Sequence, residues 1–325
     1  MICLGIESTA HTFGIGIVNQ NCEILANEKN SFRTDEGGIK PAEAADFHYA
    51  NAVKVINTAL EKAGLKMNDI DLIAFAQGPG LGPCLKVGAL VARFLSLEYG
   101  IPLLGVNHCV AHIEIGKKKC GAKDPLVVYA SGANTQIIAY ESGYYRVYGE
   151  TLDTGIGNFL DTLGRYMGIG FPAGPVIDKM YFEGKEYIDL PYTVKGMDLL
   201  FSGLLTASKL KVGNVRKENL AYSAMHNALA MLTEVSERAL AHTRKKELLL
   251  TGGVAASKAL QEMLGKMCEA RGCEFKVTPF AVACDNGAMI AWQGIVEHQA
   301  GRKQDLSETA VNQKYRTDQV KVNWL

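Results

Sequence analysis

The chain has 325 residues, 48% of them apolar, and its 34 Lys plus Arg balance 34 Asp plus Glu for a formal net charge of zero. This length exceeds what a single core usually supports, so two domains are expected. The charge balance excludes a free-standing nucleic-acid binder of the basic kind, and any contact with RNA needs a local patch or a basic partner.

The first residues, MICLGIEST, carry no basic leader followed by an apolar run, and no stretch approaches the ~20 uninterrupted apolar residues that cross a bilayer. A cytoplasmic protein without membrane contact is expected. The eight cysteines include no C-x-x-C pair, which argues against a zinc ribbon and suits reduced thiols.

In chain order, apolar runs Cys3–Ile6 and Phe13–Val18 flank a polar turn and predict a β-hairpin. Ala42–Ala63 has helical spacing, DIDLIAFAQ reads as a buried strand, and Gly78–Pro83 as a tight loop. Val87–Tyr99 is a predicted helix, and PLLGVN a strand leading into a helix that bears His108 and His112. Leu126–Tyr129, a small polar turn over Ser131–Thr135, and Gln136–Tyr140 repeat the opening hairpin, which points to an internal duplication. Helices are then predicted over Asn158–Gly168 and Asn219–Ala241. KELLLTGGVAAS reads as a strand entering a Gly-rich turn, with Lys258–Arg271 helical after it. CEFKVTP is a last strand and Gly287–Gln299 a last helix. Strand and helix alternate, so the fold class is α/β with two similar lobes. The expected division is 1–122 and 123–287, with the helix and tail of 288–325 packing back on the first lobe. Ligands in such sheets sit at the carboxyl ends of strands, here expected in the cleft between lobes.

His108 and His112 stand four residues apart, which puts both imidazoles on one helix face. The zinc peptidase pattern H-E-x-x-H needs an inner Glu, and Cys109 stands there instead. A His pair can therefore hold metal without a peptidase's base. Its alternative is two buried histidines satisfied by backbone. Asp285, in a small-residue turn, and Tyr129, at a strand end, are candidate further ligands, and an N,N,O,O set suits Fe or Zn more than Mg. Glu114 and Cys109 point off the His face. Around FPAGP, Asp161 and Asp178 are candidates to accept ribose hydroxyls, or are cap residues of turns. LLLTGGVAAS offers Gly252 and Gly253 for a nucleotide lying on backbone and Ser257 for a hydroxyl contact. The glycines of QGPGLGPCLKVG signal either a phosphate loop or a structural turn. Lys117–Lys119 and Arg244–Lys246 read as short solvated basic runs.

Hairpin, helix, Gly-rich turn and hairpin again is the plan of the actin, sugar kinase and Hsp70 (ASKHA) superfamily. The motifs GIESTAHTFGIGIV, QGPGLGPCLKVG, NHCVAHIEIG, YASGANTQ, GNFLDTLGR, FPAGPVIDK, LFSGLLTA, LLTGGVAAS and CDNGAMIA run in order over nearly the whole chain. Together they resemble the universal threonylcarbamoyl-tRNA synthase (TsaD/OSGEP) family, and the ending QKYRTDQVKVNWL resembles its archaeal and eukaryotic branch, once described as endopeptidases. The resemblance implies transfer of a threonylcarbamoyl group from threonylcarbamoyl-AMP to the N6 amine of adenosine 37, beside the anticodon, in tRNAs decoding ANN codons. It implies one divalent metal, Fe or Zn, on His108, His112, Tyr129 and Asp285. It places the adenine nucleotide on Tyr129, Ala130, Ser131, Gly132, Ala133, Asp161, Gly174, Asp178 and Ser257, with Mg accompanying ATP. Ala133 and Ser257 depart from the family's commoner glycine and asparagine. Backbone N–H groups of the hairpin and Gly-rich turns, at Ser8, Thr9, Gly252 and Gly253, are candidates for the phosphate. The implied partners are those of the KEOPS complex: an atypical Bud-type protein kinase, a small dimerising subunit and a kinase-binding subunit. A small-molecule kinase, which has no use for the His pair, and an Hsp70-like nucleotide switch, which would bind ATP and change shape without modifying RNA, are the rival readings. No general base is evident.

Overall fold

The predicted alternation of strand and helix is realised twice in a computed structural model that describes residues 1–33 and 39–325. In chain order the first half contains β1 (Ile2–Glu7), β2 (Thr12–Asn19), β3 (Ile24–Ser31), α1 (Pro41–Ala63), β4 (Leu72–Gly78), α2 (Gly82–Tyr99), β5 (Leu103–Asn107) and α3 (His108–Cys120). There follow β6 (Leu126–Ala130), β7 (Thr135–Glu141), β8 (Tyr144–Glu150), α4 (Ile156–Tyr166) and α5 (Gly174–Glu183). A small ribbon of β9 (Val194–Lys195) and β10 (Asp198–Leu199) precedes α6 (Ser202–Lys211) and α7 (Lys217–Thr243). The chain ends with β11 (Glu247–Thr251), α8 (Lys258–Arg271), β12 (Glu274–Val277), a short α9 (Phe280–Ala283), α10 (Gly287–Gln299) and the tail.

Two units result. The first comprises Met1–Lys118, Ser142–Tyr145 and Asp285–Leu325, and the second Lys119–Glu141 and Arg146–Cys284. Asp285 thus belongs to the first unit, although the sequence division runs through residue 287.

The first unit is built on a sheet of order β3-β2-β1-β4-β5. β1 runs antiparallel to β2 and parallel to β4, which is parallel to β5. Alternate residues of a strand face opposite sides. Leu4 and Ile6 of β1 and Phe13, Ile15 and Ile17 of β2 pack with Val55 and Ile56 of α1 and Ala92 and Leu95 of α2. On the other side, Gly5 and Gly16 meet the backbone of α10. A Cβ built on Gly16 would lie 2.0 Å from the Ala288 nitrogen, and one on Gly287 would lie 2.0 Å from the Gly16 nitrogen. Only glycine allows this approach. The tail is held to the same unit: the Gln77 amide donates to the Glu308 and Ala310 carbonyls at 3.0 and 2.8 Å, and the Asn107 amide to that of Tyr315 at 2.9 Å.

The second unit repeats the plan with order β12-β11-β6-β7-β8, in which β6 and β7 are the antiparallel hairpin and β11 lies parallel to both β6 and β12. Val128, Ile137, Phe159, Phe201, Leu229, Leu250 and Leu260 form its core. The strand orders of the two sheets correspond element for element, as the duplicated hairpin in the sequence implied.

Several elements have no counterpart in the sequence reading. β3 is an edge strand whose ILANEKNS is largely polar, so it shows little alternation. α5 opens on Gly174-Pro175, a proline position favoured at helix starts that reads locally as a turn. α2 likewise begins at Gly82 with Pro83 in its first turn, five residues before the expected start.

Candidate functional site

α3 starts where it does because Asn107, the last residue of β5, caps it: the Asn107 side-chain oxygen accepts from the Cys109 and Val110 nitrogens at 2.9 and 3.1 Å. His108 and His112 then sit one turn apart, with ring centroids 4.7 Å apart and nearly perpendicular planes. Asp285 precedes α10, whose cap Asn286 accepts from the Met289 nitrogen at 3.1 Å. Its Oδ1 lies 3.6 Å from His108 Nε2 and 3.3 Å from His112 Nε2. Among the described residues, His108, His112 and Asp285 bring their ligand atoms within 4.8 Å of one another.

The electrostatics follow from burial. Burial opposes a charge on His108, but Glu7 and then Asp285 outweigh it and lift its pKa up to about 9. Burial holds His112 below the usual histidine value against the pull of Asp285. Burial also works against the Asp285 charge, yet its hydrogen bond from His112 and the charge of His108 keep it well below the usual carboxylate range. Two imidazole nitrogens and an ionised carboxylate oxygen aimed at one point suit a divalent transition metal, and two His with one carboxylate is a donor set typical of non-haem iron. The residues therefore fit the metal that the resemblance implies.

Sequence reasoning missed Glu7. It is fully buried, and its Oε2 lies 2.9 Å from His108 Nδ1. The available signal was an acidic residue ending an otherwise apolar strand, GIE. Its partner stands 101 residues away, which no local pattern reveals. Ser8 and Thr9, read as a phosphate turn, are both buried, and the Thr9 N–H donates to Glu7 Oε1 at 2.7 Å. The Gly-rich loop before α2 packs against this same turn: the Leu81 N–H donates to the Thr9 carbonyl at 2.8 Å, and a Cβ on Gly80 would lie 2.6 Å from that carbonyl oxygen; within α2, a Cβ on Gly88 would meet Ser8 Oγ at 2.1 Å.

The run Lys117–Lys119 is not wholly solvated. Lys117 is buried, 3.5 Å from Glu114, and donates to the Tyr145 hydroxyl at 3.1 Å. Glu114, off the His face as expected, also accepts from Trp324 Nε1 at 2.9 Å.

The second unit gathers the candidate nucleotide residues at the carboxyl ends of β6 and β11. Tyr129 and Ala130 end β6 and are buried. The turn after them, Ser131–Asn134, closes on itself through Ser131 N to the Asn134 carbonyl at 2.8 Å. It is tied to the start of α4 by Gly157 N to the Ser131 carbonyl at 3.1 Å and Asn158 N to the Gly132 carbonyl at 2.9 Å. Gly252 has φ of +93°, and a Cβ there would strike the Ala130 carbonyl oxygen at 2.3 Å, so glycine is required. Gly253 opens the 3-10 turn that follows.

Asp161 and Asp178 have structural partners of their own. Asp161 Oδ1 accepts from the Ala173 nitrogen at 2.8 Å, just before α5. Asp178 Oδ1 accepts from the Ser257 hydroxyl at 2.6 Å, and its carboxylate accepts from the Lys258 and Ala259 nitrogens at 3.2 and 3.3 Å. Ser257 in turn caps α8, accepting from Leu260 N at 3.2 Å. A carboxylate at the amino end of α8 also complements the helix dipole. The Cβ direction of Gly174 is open.

Two α/β units of matching strand order have the fold plan of the ASKHA type. Solved structures agree on the fold. Component A of the (R)-2-hydroxyglutaryl-CoA dehydratase of Acidaminococcus fermentans matches 92% of this chain and 99% of its own at TM-score 0.58 and 15% identity. A glucokinase of the ROK family from Streptomyces griseus matches 90% of this chain and 98% of its own at TM-score 0.51 and 9% identity. At these identities the likeness concerns the fold alone. The sequence is more specific. The family description TsaD, tRNA N6-adenosine threonylcarbamoyltransferase, matches residues 23–292. The tRNA N6-adenosine threonylcarbamoyltransferase of Thermococcus kodakarensis is 54% identical over the full length of both chains. A probable bifunctional tRNA threonylcarbamoyladenosine biosynthesis protein of Methanocaldococcus jannaschii is 52% identical over all of this chain and 61% of its own length. The chain belongs to the TsaD family of tRNA N6-adenosine threonylcarbamoyltransferases.

Proposed function

We propose that the chain transfers the threonylcarbamoyl group from threonylcarbamoyl-AMP to N6 of adenosine 37 in tRNAs decoding ANN codons, releasing AMP. The observation that carries this is the His108, His112 and Asp285 cluster, set in a chain 54% identical over its whole length to a threonylcarbamoyltransferase. These three residues would hold one iron or zinc ion, and Tyr129, at the end of β6, is the further ligand that the family resemblance implies. When bound, such an ion supplies Lewis-acid polarisation of a carbonyl. The adenylate lies on the β6 and β11 turns, over Tyr129–Ala133, Gly174, Gly252 and Gly253. The N6–carbon bond forms as the bond from carbonyl carbon to phosphate oxygen breaks, the N6 proton passes to water or to the departing AMP phosphate, and backbone N–H groups take up the remaining charge on that phosphate. Incubating the chain and its partners with threonylcarbamoyl-AMP and tRNA should yield threonylcarbamoyladenosine and AMP in equal amounts. ATP-dependent phosphorylation of a small molecule instead would overturn the reading.

Asp161→Ala and Asp178→Ala should each weaken adenylate binding while leaving metal content unchanged. Each carboxylate also organises a helix start, so each variant should cost about 1 kcal/mol of stability as a lost cap. Calorimetry with a stable adenylate analogue, paired with melting curves, separates the two effects. Unchanged affinity in both variants would refute the nucleotide role.

The chain works in the cytoplasm with KEOPS-type partners: a Bud-type kinase, a small dimerising subunit and a kinase-binding subunit. Two features support a need for partners. Tyr49 and Val53 on α1 and Leu90, Phe94 and Leu97 on α2 are large apolar side chains left exposed, the last three at helical spacing along one face. The net charge is zero, and the burial of Lys117 shortens one basic run to Lys118 and Lys119. Affinity for nucleic acid rests mainly on neutralised phosphates and released counterions. The isolated chain should therefore bind tRNA weakly, with a shallow dependence on salt, and the reconstituted complex tightly and steeply. Filter binding across a salt series measures both. A steep slope for the chain alone would mean that it carries its own RNA surface.

A further inference from the structure

We infer that Glu7 is the positioning residue for His108, fixing the imidazole so that Nε2 is presented as a ligand. The inference rests on the metal reading of His108, His112 and Asp285. Three observations carry it. Glu7 is fully buried, and a carboxylate held out of water needs hydrogen-bonded partners. Its Oε2 lies 2.9 Å from His108 Nδ1, the ring nitrogen opposite the one facing Asp285. Its Oε1 is engaged by the Thr9 N–H at 2.7 Å and by the Thr9 hydroxyl, so the carboxylate has no freedom to swing away.

The chemical consequence is specific. A neutral imidazole carries one N–H, and a carboxylate can only accept. In the metal-free chain the charged ring carries N–H on both nitrogens; with a metal bound it would give up the proton on Nε2, the nitrogen facing Asp285, and Glu7 would hold the remaining N–H on Nδ1. Such partners orient a metal-bound histidine and raise its basicity, and losing one typically costs 10–100-fold in metal affinity. Glu7 ends β1 and His108 starts α3 after β5, so the first unit's sheet itself sets the distance between carboxylate and ring.

Glutamine at this position can turn its oxygen toward His108 only by turning its NH2 toward the Thr9 N–H, a donor against a donor. The test is zinc titration of the full chain against a chromophoric chelator, for the wild type, Glu7→Gln and Thr9→Ala. Melting curves of the metal-free proteins and ¹⁵N spectra of the zinc-loaded His108 ring accompany it. The expected result is a loss of zinc affinity of about 10–100-fold in Glu7→Gln and of several-fold in Thr9→Ala. His108 Nδ1 should be protonated in the wild type, with that signature weakened in Glu7→Gln. A role confined to fold stability would lower the melting temperature without moving the ring spectrum, and that outcome overturns the inference. So does unchanged zinc affinity in Glu7→Gln, or in Thr9→Ala should Glu7→Gln not fold. A wild-type chain that takes up no zinc fails the metal reading itself and this inference with it.

Discussion

His112→Ala should strip the chain of its metal and lower threonylcarbamoyl transfer by at least about 100-fold, because losing a ligand exceeds the 10–100-fold cost of losing a residue that supports one. Removing one of three clustered ligand groups leaves a single imidazole and a carboxylate. His108→Ala should do the same to metal and activity, but the two variants should differ in the metal-free state. His112 is fully buried, and its truncation costs roughly 0.5–3 kcal/mol, the usual range for a point mutant. His108→Ala also leaves the buried Glu7 carboxylate without its charged partner, a loss that typically costs about 3–5 kcal/mol. The metal-free His108→Ala protein should therefore melt below the metal-free His112→Ala protein. Elemental analysis, calorimetric melting and the transfer assay on the same preparations provide the check. Full transfer by a chain shown to hold no metal would end the metal account.

Gly16→Ala should destabilise the first unit by about 3 kcal/mol or more, the upper end of what overpacking costs. For a domain of this size that is roughly 6–12 °C in melting temperature. The added Cβ would lie 2.0 Å from the Ala288 nitrogen, 2.3 Å from the Gly287 carbonyl carbon and 2.4 Å from the Ala288 Cα, all backbone that cannot turn aside like a side chain. Because α10 begins two residues after Asp285, forcing it from the sheet also displaces the carboxylate proposed as a metal ligand. Metal affinity should fall together with stability, although Gly16 touches no ligand. Gly203→Ala is the control: nothing lies within 4 Å of a Cβ there, and inside a helix the change is neutral or favourable. Equal melting temperatures for the two variants would show that the sheet and α10 are not locked together.

Much of this molecule was legible in its residues. The 3.6-residue spacing of Ala42–Ala63 and the unbroken apolar runs of β4 and β11 are local properties, and the elements formed where those patterns lie. The two hairpins announced the duplication because a repeated local pattern makes a repeated local structure. The four-residue step between His108 and His112 placed both rings on one face for the same reason.

What depended on chain segments far apart was decided only by the tertiary structure. Glu7 reaches His108 across 101 residues, and Asp178 caps the helix at Ser257 across 79. Lys117, whose surroundings in sequence are polar and basic, is buried because Glu114 compensates its charge and the Tyr145 hydroxyl accepts its hydrogen bond. Asp285 joins the unit of the two histidines because Gly16 and Gly287 let two backbones meet. Periodicity reports which way a side chain faces on its own element. Which group waits on the other side, and whether it neutralises a charge, completes a cap or orients a ligand, is set by the packing of elements whose order in the chain carries no record of that meeting.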